Sequence, residues 1–193
     1  RGELESLKHQ PSNIPSFFLG KRLELARRAG IQESSLPFVG ELLQVRTGEE
    51  EWEGAIERVL RGFSLSLLVS EEDWPRLARE ADASFLGFKL VYYRVPDDQA
   101  KSRIGPKMKD SLPGKLDIKE GRWTAWVANE LDNRFSYACV ESVKGMGDRE
   151  KAVTKAGQIK HGKNRFEKND LYRIDDKGEW TLGFRNDAKM ELY

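Results

Sequence analysis

The side chains best suited to chemistry in this 193-residue chain are two histidines, one cysteine, an adjacent aspartate pair and a late run of lysines and arginines. His9 and His161 stand far apart, and neither joins Cys, Asp or Glu at a spacing that holds a metal. Both read as loop or surface histidines. Cys139 sits in the apolar word Tyr137-Ala138-Cys139-Val140 and reads as a small buried hydrophobe rather than a nucleophile or ligand. Asp175-Asp176 could serve a metal-dependent hydrolysis in a nucleic-acid-processing domain. Adjacent side chains diverge, however, and no third carboxylate with a following lysine completes such a set, so turn-forming aspartates are the better account. No G-x-x-x-x-G-K-[ST] loop occurs, so nucleotide is not held here in that manner. The chain is expected to be non-catalytic, with no metal ligand and no cofactor.

Binding is the stronger theme. Between residues 144 and 173, nine basic residues stand against four acidic ones. Phosphate contacts require positive charge along a surface rather than special geometry. Lys155, Lys160, His161, Lys163, Arg165, Lys168 and Arg173 are therefore the candidate DNA-binding group, with Phe166 or Tyr172 able to stack on an exposed base. A solvated charged loop accounts for the charge equally well. A second basic group, Lys101, Arg103, Lys107, Lys109 and Lys115, falls in a connector rich in Gly and Pro. Trp52, Trp74, Trp123 and Trp126 lie on helix faces and read as core.

Composition bounds the class. Hydrophobic residues make up 38% and charged residues 34%, with a net charge of +1, which suits a soluble body with charged loops. No apolar stretch approaches the roughly 20 residues that cross a bilayer, so no membrane partner is expected. A single cysteine and no secretory pattern point to the cytoplasm. Arg1-Gly2-Glu3 reads as the cut edge of a longer protein.

The elements that must position these residues follow from periodicity. Residues 1–35 read as an incoming arm: a helical stub broken by Pro11 and Pro15, then a helix over 21–28 stopped by Gly30. Leu42 to Val45 reads as a strand. Trp52, Ala55, Ile56, Val59 and Leu60 then form the apolar stripe of a helix over 50–60, ended by Gly62. A strand over 64–69 follows, then a helix with Ser70 as N-cap and Glu71-Glu72-Asp73 in its first turn. A third strand runs over 89–95. Strand, helix, strand, helix, strand with short connections predicts an α/β layer over 36–95. A connector over 96–115 leads to a second lobe over 116–185: a short extended piece, a helix over 123–134, a strand over 137–140, and a hairpin in which 152–154 and 158–160 flank Ala156-Gly157. Residues 186–193 read as the start of a returning helix.

Certain words resemble a known family. Phe38-Val39-Gly40-Glu41-Leu42-Leu43-Gln44-Val45, Trp52-Glu53-Gly54-Ala55-Ile56-Glu57-Arg58-Val59-Leu60, Leu67-Leu68-Val69 and Val153-Thr154-Lys155-Ala156-Gly157-Gln158-Ile159 resemble, in order and spacing, the hinge domains of SMC proteins. Leu36-Pro37-Phe38-Val39-Gly40-Glu41-Leu42, Leu90-Val91-Tyr92-Tyr93-Arg94-Val95, Phe135-Ser136-Tyr137-Ala138-Cys139-Val140 and Gly157-Gln158-Ile159-Lys160-His161-Gly162 are similar to the MukB-like SMC subunit (JetC) of Wadjet plasmid-defence systems. The late hairpin departs from the family in carrying Lys163, Asn164, Arg165 and Phe166 where many hinges have dense glycines. The resemblance implies a two-lobed α/β, SMC-hinge-like fold with mixed sheets flanked by helices and coiled-coil stubs at both ends. It also implies a homodimer formed edge to edge through Val153, Thr154, Gly157, Gln158 and Ile159. The parent would be a condensin-type, nucleoid-associated ATPase that binds and extrudes DNA and works with other subunits of an SMC complex.

Overall fold

Alternation of short strands with amphipathic helices produces, among the described residues, three small sheets sharing a continuous apolar interior. The computed structural model describes residues 12–98 and 110–184. His9, the helical stub, the connector cations Lys101, Arg103, Lys107 and Lys109, and the returning helix from Asn186 lie outside those residues. In chain order the elements are α1 (Ser16–Ala29), β1 (Leu43–Val45), α2 (Glu53–Ser64), β2 (Leu67–Ser70), α3 (Trp74–Ala83) and β3 (Tyr92–Val95). After the connector come β4 (Leu116–Ile118), α4 (Thr124–Arg134), β5 (Ala138–Val140), β6 (Ala152–Thr154), β7 (Gln158–Lys160) and β8 (Phe166–Lys168). The expected α/β class is what forms.

Helix α1 starts behind Pro15 and stops at Gly30, whose φ of 69° places it in the left-handed region. The Ile31 amide turns back to the Ala26 carbonyl at 2.9 Å, the hydrogen bonding of a glycine-terminated helix. The helix is not a free arm: Leu19, Leu25 and Ala26 are buried with Ile14, Leu36, Phe38, Leu67, Val69 and Leu77 in one of the apolar clusters.

Helix α2 overruns its expected end. Gly62 is exposed and inside the helix, which continues to Ser64. Burial of Phe63 to 4% exposure explains the overrun. Burying an aromatic side chain outweighs the roughly 1 kcal/mol that glycine costs in a helix interior. The start of α3 also shifts. Residues 71–73 form a turn, held by the Ser70 hydroxyl accepting from the Asp73 amide at 3.1 Å, and Pro75 occupies the first helical turn.

Strands β2 and β3 pair in parallel, Leu67 with Tyr92 through Ser70 with Val95, across the α3 crossover. Strand β1 pairs antiparallel with β4, Leu43 opposite Ile118. The larger apolar cluster draws on both sides of the connector, joining Leu43, Trp52, Ile56, Leu60 and Phe63 to Leu116, Val127, Leu131, Cys139, Val153 and Ile159. The third sheet has the order β5-β6-β7-β8. Its β6–β7 hairpin is the expected one, Val153 opposite Ile159, turning at Gly157 with φ of 91°. Strand β8, antiparallel to β7, was not expected from the sequence.

Candidate interaction surfaces

The hairpin's own edges are taken. Strand β6 lies between β5 and β7, and β7 between β6 and β8. Val153, Thr154 and Ile159 are at most 4% exposed. Gly157 packs under Ile174 and Arg58, and the Gln158 amide donates to Thr154 Oγ1 at 3.1 Å. These residues build the sheet rather than offer an edge, because each strand's two hydrogen-bonding sides are already satisfied in the chain. The far side of β5 is also occupied: Cys139 N donates to Asp110 O at 2.7 Å, and Leu112 N to Tyr137 O at 2.8 Å. The open edge of this sheet, among the described residues, is β8. A three-residue strand with no neighbouring strand on its outer side, among the described residues, is the kind of edge that templates strand addition. Phe166 of this strand is 52% exposed, and Leu171, three residues past its end in the segment that follows, is 90% exposed.

The seven cationic candidates do not form one phosphate-facing surface. Lys160 is buried and its ammonium donates to the Gly147 carbonyl at 3.0 Å. Lys155 is claimed by Glu141 at 3.0 Å and Glu51 at 3.2 Å, pairings that raise its pKa. His161 bonds through Nδ1 to the Tyr137 hydroxyl at 2.8 Å, with Nε2 3.3 Å from Glu167. Arg165, Lys168 and Arg173 are exposed but pair with Glu167, Asp170 and Asp175 at 3.4, 2.6 and 3.2 Å. Lys163 is exposed, and no carboxylate among the described residues pairs with it. From the second basic group, Lys115 is buried and bound to Glu49.

The enzyme-like candidates resolve into structure. Asp176 accepts from the Gly178 amide at 3.1 Å and caps a short 3-10 turn, while Asp175 faces Arg173. No group of three or more His, Cys, Asp or Glu side chains suited to a metal occurs among the described residues. Burial pushes the Cys139 thiol up to about 12, which keeps it protonated and unreactive.

A polar stripe on α2 escaped the sequence reading. Gly54, Glu57, Arg58 and Arg61 recur at helical spacing on the face beside the apolar one, and they grip a strap formed by residues 169–182. Arg58, with a side chain only 3% exposed, reaches Asp170 at 2.9 Å and the Tyr172 carbonyl at 2.7 Å. Arg61 donates to the Glu179 carbonyl at 2.7 Å. The buried Glu57 carboxylate accepts from the amides of Thr181 at 2.8 Å and Leu182 at 3.0 Å. Ile174 wedges between two glycines: a Cβ on Gly54 would stand 2.6 Å from its Cγ1 and overlap its carbonyl oxygen, and one on Gly157 would stand 2.8 Å from its Cδ1.

The strap ends where the start of the described chain lies. Asn13 Nδ2 donates to Leu182 O at 2.8 Å, and Gly183 N donates to Gly40 O at 3.0 Å. A Cβ on Gly40 would meet Thr181 O at 2.9 Å and Ile14 Cδ1 at 3.1 Å, so the Gly40 and Thr181 backbones lie close together with the Ile14 side chain against them.

No family model matches the sequence, and no curated protein is similar to it. Solved structures are similar. An SMC hinge domain from Geobacillus stearothermophilus, seen as an asymmetric dimer, aligns with a TM-score of 0.59 at 16% identity, over 99% of this chain and 76% of that one. A Pyrococcus furiosus Smc hinge domain with an extended coiled coil aligns with a TM-score of 0.59 at 15% identity, over 99% and 68% of the two chains. A further Pyrococcus furiosus SMC hinge domain gives 0.53 at 15% identity, over 81% and 90%. The likeness is one of fold: the chain has the architecture of an SMC hinge domain.

Proposed function

We propose that this chain, built on the fold of SMC hinge domains, is a self-associating hinge module that joins two copies of a longer protein. The open β8 edge flanked by exposed Phe166 and Leu171 carries the reading. An exposed strand edge with adjacent apolar side chains is a liability in a monomer and an asset in a dimer. The meeting of Asn13 with Leu182 suits such a module, because chain leading in and chain leading out can share one arm.

Light scattering at micromolar concentration gives twice the 22.1 kDa of one chain. Replacing both exposed residues, Phe166→Asp with Leu171→Asp, returns one chain mass while leaving the circular dichroism spectrum unchanged. A single-chain mass for the wild type across that range sinks the proposal.

The wider reading rests on the sequence words that resemble SMC hinges and the MukB-like Wadjet subunit. On it, the parent is a nucleoid-associated ATPase of the cytoplasm whose heads lie elsewhere, acting with further subunits to extrude DNA in plasmid defence or chromosome organisation. DNA contact at the hinge itself falls to Lys163, Arg165, Lys168 and Arg173, since Lys160 is buried. Charge reversal of Lys163, Arg165 and Arg173 is expected to flatten the log–log salt dependence of duplex binding, by about 0.9 in slope for each phosphate released from the protein. Equal anisotropy curves for variant and wild type would remove this surface from DNA binding.

A further inference from the structure

The strap connects two places that matter separately. At one end it continues directly from β8, the open edge of the four-stranded sheet. At the other it becomes Thr181 and Leu182, whose amides sit on the Glu57 carboxylate and whose neighbourhood holds Asn13 and Gly40. Between them most of its side-chain anchors come from one element, α2, from groups about one helical turn apart. Asp170 bridges the first end, accepting from Lys168 of β8 at 2.6 Å and from Arg58 of α2 at 2.9 Å. The Tyr172 ring lies over both guanidinium groups, 5.3 Å from Arg58 and 5.5 Å from Arg61. Ile174 fills the gap between Gly54 of α2 and Gly157 of the hairpin. Coupling between distant sites travels through contiguous packed and hydrogen-bonded groups of this kind.

We infer that the 169–182 strap is a built-in linkage through which the order of the β8 edge and the order of the 181–183 junction rise and fall together. Disturbing Glu57 at one end loosens β8 at the other, and freeing Asp170 loosens Thr181 and Leu182, because a coupling free energy acts equally in both directions. Seated on α2, the strap holds β8 straight against β7 and ready to pair. Lifted, it lets the edge fray and weakens association. The last step takes β8 as the self-association edge and so rests on the function proposed above.

Amide exchange read by mass spectrometry on the full chain tests the linkage without assuming a dimer. Asp170→Asn, at an exposed side chain that leaves Arg58 its Tyr172 carbonyl, is expected to speed exchange of the β7–β8 amides and of Thr181 and Leu182 by roughly threefold or more. Arg58→Ala is expected to do so by roughly tenfold or more. Glu57→Gln is expected to speed exchange at β8 as well as at Thr181 and Leu182. Amides of α3, to which no hydrogen bond or ion pair of the strap runs among the described residues, keep wild-type rates in each variant, separating a linked loosening from loss of the whole fold. Change at only one end of the strap, or equal change in α3, overturns the inference. A wild-type chain that is monomeric yet shows linked exchange overturns self-association alone. A dimer whose two ends exchange independently overturns the linkage alone.

Discussion

At the scale of single residues, two glycines on one helix illustrate how the same residue type can be required or merely tolerated. Gly54 has Ile174 against it and leaves no room for a Cβ, whereas Gly62 has nothing within 4 Å. Gly54→Ala is therefore expected to destabilise by about 1–3 kcal/mol through overpacking. Gly62→Ala is expected to stabilise by about 0.5–1 kcal/mol by restricting the unfolded chain and favouring helix. Urea titration with the slope held common to wild type distinguishes the two signs, and a loss of stability on Gly62→Ala would contradict the space seen around it. Neither sign was legible in the sequence. Gly54 falls within the expected helix and Gly62 reads as its stop, whereas the structure puts both inside the helix, and only the position of Ile174, distant along the chain, separates them. Glu57 and Arg58 were hidden for the same reason: a charged residue beside an apolar stripe reads as solvated until a partner arrives from elsewhere.

Among the elements, those with a strong local pattern were legible and those without one were not. The β6–β7 hairpin could be read because short apolar words flank a glycine that adopts φ of 91°. Strand β8 could not, because Phe166-Glu167-Lys168 has no apolar face of its own and is a strand only through pairing with β7. The basic run illustrates the limit of counting charge: Lys155, Arg165, Lys168 and Arg173 each have an acidic partner that charge density cannot reveal. One of these pairings gives β8 a pH response. Lys168 first, then Arg58, lower the pKa of Asp170 below its ordinary value of 3.8. A carboxylate with a depressed folded pKa contributes its stabilisation fully above its unfolded pKa and loses it as pH falls through the folded one. Exchange protection of the β7–β8 amides is thus expected to hold from neutral pH down to about 4 and to fall below it. In Asp170→Asn that acid step is expected to disappear; its persistence would assign the transition to another carboxylate.

For the whole molecule, the order of words along the chain carried more than any single word. It indicated the α/β class and the hinge-like architecture, and the similar solved structures share that architecture. What it did not show is that the interior is continuous across the connector, because the β1–β4 pairing and the joint core exist only in three dimensions. The Ile174 wedge extends this point from architecture to time. Its pocket consists of a helix from early in the chain and a hairpin from late in it, so it does not exist until both have formed and docked. A side chain that can be seated only in a finished pocket contributes little to the rate-limiting barrier of folding. Ile174→Ala is accordingly expected to leave the refolding limb of the chevron nearly unchanged and to raise the unfolding rate by about tenfold. A slowed refolding limb would instead place the strap in the nucleus. On the expected outcome, the wedge acts as a kinetic latch, setting how long a molecule stays folded rather than how soon it folds.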